Sequence, residues 1–473
     1  IKKILNYMTG GKDMTSSNFY RDRRKVKNEY PDRKFPDYID IPPEPTEEPG
    51  QRIFPIQNDA ACALKWSWMT LYLSMDMFNM CHRTGGFHFS REPDSEFRNF
   101  NSHPKLVEER TRMANNQWPK ESCRYCKRVE DAGGTSERQI FSKKTYWNPH
   151  QIQWSEDGKL RNEVTPSVME VYFKNTCNLA CTYCSPMFSS KIEADIRTNG
   201  PASKHYSLDG SYSVSPMYEK RKKQFWEWMR GHSCYLKHFH ILGGEPLYQK
   251  EEFEETLTFF EDESLLNDKL GIKMFSNLML KPNLFKQKIG RIQKMLEKNL
   301  IRQWIIVCSI DAWGPEQEYA RYGIDLKQWT ENFETLMETD IIVHVHSTIT
   351  PLTTPTNWVL RKKVIEYEKK YGKEIHQSWN IIQNPPFLDP TKYGSFVLED
   401  LEKLISLIPH NKEEHKLLNG YKKAIENKPE PDIEMLKEFV RFSDEMDRRR
   451  KQDWRSIYPK LNSFLDKTLG EKV

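Results

Sequence analysis

Long apolar stretches are missing from this chain of 473 residues. No run of about eighteen apolar residues occurs, the length a helix needs to cross a bilayer, so no membrane span is expected. Cysteine is sparse, nine residues in all. A disulfide scaffold is not expected in so long a chain, and thiols gathered in metal-binding patterns favour a reducing compartment. The opening residues turn polar too quickly for a secretory signal, which leaves the cytoplasm as the expected location. Strong charge of one sign is also lacking. The 72 basic and 67 acidic residues leave a net +5, too mild to imply nucleic acid, which is not expected as a partner. No internal repeat is found.

What the chain does have is a tight trio of cysteines. Cys177, Cys181 and Cys184 are spaced C-x3-C-x2-C, with no fourth cysteine or histidine close by in the sequence. Structural zinc wants four protein ligands, so a local trio makes a poor zinc cage. Iron–sulfur clusters normally take a thiolate on every iron, and a missing one implies chemistry at the bare iron. Residues 167–174, just before the trio, alternate apolar and polar types and read as a strand. The cysteines then lie on the loop leaving its C-terminal end, the face that carries the active site in barrels of β/α units. A second strand, 236–242, runs into Gly243, Gly244, Glu245 and Pro246. Two glycines let backbone approach a ligand closely, and a carboxylate there can receive an ammonium group.

The same rhythm continues along the chain. Further strands are expected at 273–277, 304–311, 341–349 and 375–382, with helical periodicity at 225–229, 253–260, 284–296, 329–337 and 359–371. Strands alternating with helices mean an α/β protein with a parallel sheet. Periodicity alone leaves a doubly wound sheet open.

The cysteine trio followed by the Gly-Gly-Glu-Pro element at a strand end resembles the radical S-adenosylmethionine (radical SAM) superfamily. The resemblance implies an open, partial (β/α)6 TIM-like barrel over 165–390. It also implies a [4Fe-4S] cluster on Cys177, Cys181 and Cys184, with SAM chelating the free iron and residues 243–246 at its amino group. Ser309 and Asp311 look like the family's Ser-x-Asp element, directed at the ribose and methionyl group. Arg321, in a segment ending at Gly323, resembles an arginine that clamps the SAM carboxylate through its planar fork; a surface salt bridge is its other reading. Asn277 and Ser347 are further SAM contacts on this resemblance, and Tyr183 stands where the family has an aromatic near the adenine.

A second cysteine set lies upstream: Cys62, Cys81, Cys123 and Cys126, the last two as C-x2-C. Four thiols can close a tetrahedral site, and zinc and iron–sulfur are both chemically reasonable there. The pattern resembles the twitch (SPASM-like) auxiliary-cluster module of some radical SAM proteins. In that module a Cys-x3-Trp strand, a hairpin cysteine, and a C-x2-C followed by an acidic residue, Gly and Ser-x-Arg hold a second [4Fe-4S] cluster. Here the module precedes the barrel, whereas in many relatives it follows. His82 reads as a neighbour rather than a ligand, and Cys234 and Cys308 as core residues.

The expected organisation is an extended or disordered tail over 1–55, charged and Pro-rich; the auxiliary-cluster domain over 56–150; the barrel over 165–390; and a helical extension over 391–473. Within it, helices are expected at 398–408 and 433–450, the latter ending in cations suited to a helix C-terminus. The stretch 190–218, rich in Ser, Gly and Pro, reads as a long loop or a lid. The activity implied is reductive cleavage of SAM to a 5′-deoxyadenosyl radical that abstracts a substrate hydrogen. An electron donor of flavodoxin or ferredoxin type would serve it. A peptide or protein substrate comes first, a nucleotide, carbohydrate or other small molecule second, and a non-catalytic metal scaffold is the reading from another class.

Overall fold

Alternation decides the faces of the central strands. In the strand His238–Leu242, Phe239 and Ile241 are fully buried while His238, His240 and Leu242 are only half covered. One face therefore packs under helices and the other stays partly open. The computed structural model describes residues 58–81, 84, 86–89, 103–119, 121–131, 133–142, 166–208, 214–233, 236–262 and 267–470. The expected tail over 1–55, His82 and Cys234 lie outside the described residues.

The strands in chain order are β1 (Trp68–Tyr72), β2 (Met77–Asn79), β3 (Phe87–His88), β4 (Val168–Tyr172), β5 (Ala180–Cys181) and β6 (His238–Leu242). They continue with β7 (Asn267–Ser276), β8 (Ile301–Ser309), β9 (Arg321–Tyr322), β10 (Ile342–Ile349) and β11 (His376–Ile381). Nine of them form one sheet in the order β11-β10-β8-β7-β6-β4-β1-β2-β3. From β4 to β11 the neighbours are all parallel and follow chain order. The connections carry the helices Tyr218–His232, Lys250–Glu261, Pro282–Glu297, Leu326–Met337 and Thr354–Tyr371. Right-handed crossovers that always step the same way place their helices on one face. The order shows no reversal of the kind that defines a doubly wound sheet. The molecule is thus an α/β protein built on a large, mostly parallel sheet.

The upstream segment is not isolated from this sheet. β1 pairs in parallel with β4 from Trp68↔Val168 to Tyr72↔Tyr172, and β2 and β3 add antiparallel partners at the edge. Leu71, Leu73, Phe78, Met80 and Phe89 belong to the same apolar cluster as the strands of the main sheet.

Two expectations about local structure change. Residues 190–199, expected within a loop or lid, form the helix Ser190–Asn199. Ser189 caps it by accepting from Ile192 N, and Ile192 and Ile196, one turn apart, are both buried. The serine just before the stretch supplies the cap that starts the helix. The C-terminal extension also holds more helices than its periodicity suggests. Besides Leu398–Ser406 and Ile433–Arg450 it contains Glu413–Glu426, Trp454–Ile457 and Pro459–Leu469. They enclose a second apolar cluster with Trp379, Leu401, Phe439 and Trp454, which also takes in Ala180, Ile192 and Ile196 from around the cysteine loop.

Candidate functional site

The three cysteines of the trio leave the C-terminal end of β4 on a loop that is tied down from four directions. Glu245 N donates to Thr176 O at 2.9 Å, and Ser190 Oγ accepts from Cys177 N at 3.2 Å. Asn178 Nδ2 donates to Met279 O at 2.7 Å. β5 pairs antiparallel with β9, setting Cys181 opposite Arg321, and Thr182 N donates to Ala320 O. Glycine is required where the second loop meets the first. A Cβ on Gly244 would lie 2.3 Å from Thr176 O, and one on Gly243 would lie 2.6 Å from the Tyr172 ring.

Two side-chain donors face the sulfurs, besides Leu179 N at 3.5 Å from Cys177 Sγ. Asn277 Nδ2 lies 4.0 Å from Cys177 Sγ, and Arg321 Nη1 lies 4.0 Å from Cys181 Sγ. Burial pushes all three thiols up, Cys184 to about 12, while the Arg321 and Arg450 guanidiniums pull Cys181 back down. Protons on buried thiols yield to a metal, and donors aimed at sulfur are the groups that tune a bound cluster. The donor set therefore fits a thiolate-held cluster.

Both carboxylates of the site are already held within the protein. Glu245, 1% exposed, accepts from Ser276 Oγ at 2.7 Å, Asn277 N at 2.6 Å and Leu247 N at 3.1 Å. Burial outweighs these donors and raises its pKa to about 7. Pro246 opens the turn that follows, in which Pro246 and Leu247 are buried. Asp311 is fully buried and accepts from Arg321 Nε at 2.8 Å, Arg321 Nη2 at 2.9 Å, Thr348 N at 2.8 Å and Tyr183 Oη at 2.5 Å. Arg321 is thus neither a surface arginine nor open in its fork: the fork grips Asp311, and the Tyr183 ring lies 5.5 Å from its guanidinium carbon. Ser347 Oγ donates to Ile310 O at 2.7 Å and holds the end of β8 in place. Ser309 makes no side-chain hydrogen bond among the described residues and stands at the end of β8 opposite His346.

The half-covered face of the sheet carries polar residues that the sequence reading assigned no role. Glu170 Oε1 lies 3.1 Å from His240 Nδ1, and Thr70 Oγ1 donates to Glu170 Oε2 at 2.8 Å. Ser378 Oγ joins His344 Nε2 at 3.0 Å to His346 Nδ1 at 2.8 Å. Burial lowers the basicity of these histidines, His346 to about 4, so they stand neutral. Their signal was present in the sequence: histidines two apart, at 238 and 240 and at 344 and 346, share one face of a strand.

Upstream, Cys62, Cys81, Cys123 and Cys126 line one small cavity together with Lys65 and Trp118. Lys65 is buried and pairs with Glu109 at 2.5 Å. Burial pushes Cys62 and Cys123 up. Glu130, Ser136 and Arg138 also come together: Arg138 Nε and Nη2 meet the two Glu130 oxygens at 2.9 and 2.6 Å, and Ser136 Oγ bonds the same carboxylate. Arg138 Nη1 donates to Ala61 O at 2.9 Å, tying the C-x2-C helix to the segment carrying Cys62. Among the described residues, no three His, Cys, Asp or Glu side chains converge as on a single metal ion. Cys308 is buried in β8, within the core.

No family model and no curated protein matches the chain. Solved structures of radical SAM enzymes are similar to it. Native anSMEcpe with bound AdoMet is 15% identical over 58% of this chain and 66% of its own, with a TM-score of 0.34. Streptococcus suis SuiB bound to S-adenosylmethionine is 12% identical over 62% of this chain and 60% of its own, with a TM-score of 0.33. SuiB bound to the precursor peptide SuiA is 13% identical over 73% of this chain and 67% of its own, with a TM-score of 0.31. The chain therefore spans less than two thirds of the length of anSMEcpe and of the SAM-bound SuiB, and what it is similar to is a set of radical SAM enzymes.

Proposed function

We propose that this protein is a radical SAM enzyme whose strands from β4 to β11 form an open (β/α)6 barrel. The observation that supports this most is the cysteine loop itself. Three thiols stand at a strand end, with Asn277 and Arg321 donating toward two of the sulfurs and no fourth ligand in the loop. Cys177, Cys181 and Cys184 would hold a [4Fe-4S] cluster with one iron left open. SAM bound there supplies a 5′-deoxyadenosyl radical on one-electron reduction, with a flavodoxin- or ferredoxin-like protein as donor.

The chain's own residues do the rest. Gly243 and Gly244 bring the second loop against the cysteine loop, and Glu245 locks it to the end of β7. Asp311, Arg321 and Tyr183 form a preorganised wall beside Cys181 that needs no rearrangement when SAM enters. Ser309 is the hydroxyl left for the ribose. The polar face bearing Glu170, His240, His344 and His346 is the substrate floor. Neutral histidines beside a carboxylate present both donors and acceptors, which suits the amides and mixed side chains of a peptide or protein segment.

The upstream quartet is the auxiliary site of a domain over 56–150. Its four thiols line one cavity, which suits a second [4Fe-4S] cluster. Four thiolates close such a cluster, which suits taking up the electron of a substrate radical.

Formation of 5′-deoxyadenosine from SAM by the anaerobically reconstituted, dithionite-reduced protein tests the reading. Cys181→Ala abolishes it, whereas Cys123→Ala leaves uncoupled cleavage largely intact. Normal cleavage by the Cys181 variant, or wild-type protein that takes up no iron, overturns the assignment.

A further inference from the structure

The run of cations ending the helix Ile433–Arg450 divides into two kinds. Arg448 and Arg449 both pair with Glu445, and Arg449 reaches Asp195 Oδ2 at 2.8 Å. Arg450 turns the other way. Its Nη2 donates to Ala180 O at 2.9 Å, the carbonyl next to Cys181, and its guanidinium carbon lies 4.8 Å from the Tyr322 ring on β9. Its Nη1 is buried without a hydrogen-bond partner, and no carboxylate among the described residues pairs with it. The Tyr206 phenol lies within reach of this guanidinium, but burial keeps it protonated, so it offers a neutral oxygen and no countercharge. Asp195 is already engaged by Arg449.

A buried guanidinium N–H with no acceptor and no anion beside it is costly, so the group calls for a partner that the described residues do not provide. The other arginine near Cys181 cannot serve the same need in reverse, because Arg321 is neutralised bidentately by Asp311. Arg450 is a positive charge at the cysteine loop that no carboxylate among the described residues compensates. A cluster on three thiolates is net anionic, and accepting an electron makes it more so. We propose that Arg450, delivered by the C-terminal extension, is the countercharge of this cluster and a positioning residue that raises its reduction potential. The extension thereby sets how readily the site accepts the electron that starts catalysis. This inference rests on the reading of Cys177, Cys181 and Cys184 as a cluster site.

The test is a potentiometric titration of reconstituted protein followed by electron paramagnetic resonance, using the signal that changes on adding SAM to identify this cluster. At the wild-type midpoint, Arg450→Gln lowers the ratio of reduced to oxidised cluster about tenfold, a 59 mV shift for a one-electron couple. Arg450→Lys, which keeps the charge but not the planar fork, stays close to wild type. Arg450→Met gives a second neutral comparison; poor iron loading in both neutral variants but not in Lys also supports a countercharge. Equal shifts in Gln and Lys, no shift in either, or loading lost in all three overturns the inference. Wild-type protein that binds no iron at the loop overturns the radical SAM reading itself, a separate and distinguishable failure.

Discussion

Replacing Gly244 by alanine tests whether the two loops of the site are locked by shape. The residue has φ +56°, and its added Cβ would lie 2.3 Å from Thr176 O and 2.9 Å from the carbonyl carbons of Asn175 and Thr176. Left-handed backbone costs a non-glycine residue about 1–2 kcal/mol. Forcing a methyl against fixed backbone adds about 1–3 kcal/mol. The sum, roughly 2–5 kcal/mol, falls on Thr176, which accepts from Glu245 N and immediately precedes Cys177. Loading of iron should therefore fail before the fold does. Gly133→Ala is the control: it has φ +78° with nothing within 4 Å of the new carbon, so only the backbone term applies. Thermal unfolding and iron per chain after anaerobic reconstitution read the two effects. If Gly244→Ala melts and loads like Gly133→Ala, the loops are not held by this contact and the packing argument is wrong.

Asp311→Asn leaves the Arg321 guanidinium buried beside a neutral amide, which should cost about 3–5 kcal/mol in urea unfolding; a loss below about 1 kcal/mol would show the pair to be dispensable. Glu245 gives a pH dependence in the metal-free protein. Its carboxyl is raised from 4.5 to about 7 by burial, so the folded state binds the proton more tightly than the unfolded one. Stability should fall as pH rises between those values and level off above, by roughly 3 kcal/mol at most. Glu245→Gln should remove that slope, and a slope unchanged in the variant would assign it elsewhere. Arg138→Ala should loosen the Cys126 helix from the Cys62 segment, seen as reduced iron or zinc content at the upstream quartet with the trio still loaded.

Much of the frame was legible because it depends on short-range chemistry. Strand alternation at 236–242 and 341–349, the C-x3-C-x2-C spacing and the double glycine are local properties, and the observed strands fall where that alternation places them. Residues 190–199 form a helix although the Ser, Gly and Pro content of 190–218 suggests a loop, because burial of Ile192 and Ile196 outweighs composition. Arg321 was legible as a cation near the site but not in its partner.

Spacing and backbone period alone place the three thiols on one loop and set which residues alternate on each strand. Packing in three dimensions settles where long-range partners meet. It set β1 against β4 across the chain between them, gathered Cys62, Cys81, Cys123 and Cys126 around one cavity, turned the Arg321 fork onto Asp311, and brought Arg450 to Ala180. The reason is that buried charges and unpaired strand edges are satisfied by whatever lies nearest in space, and chain distance carries no information about that.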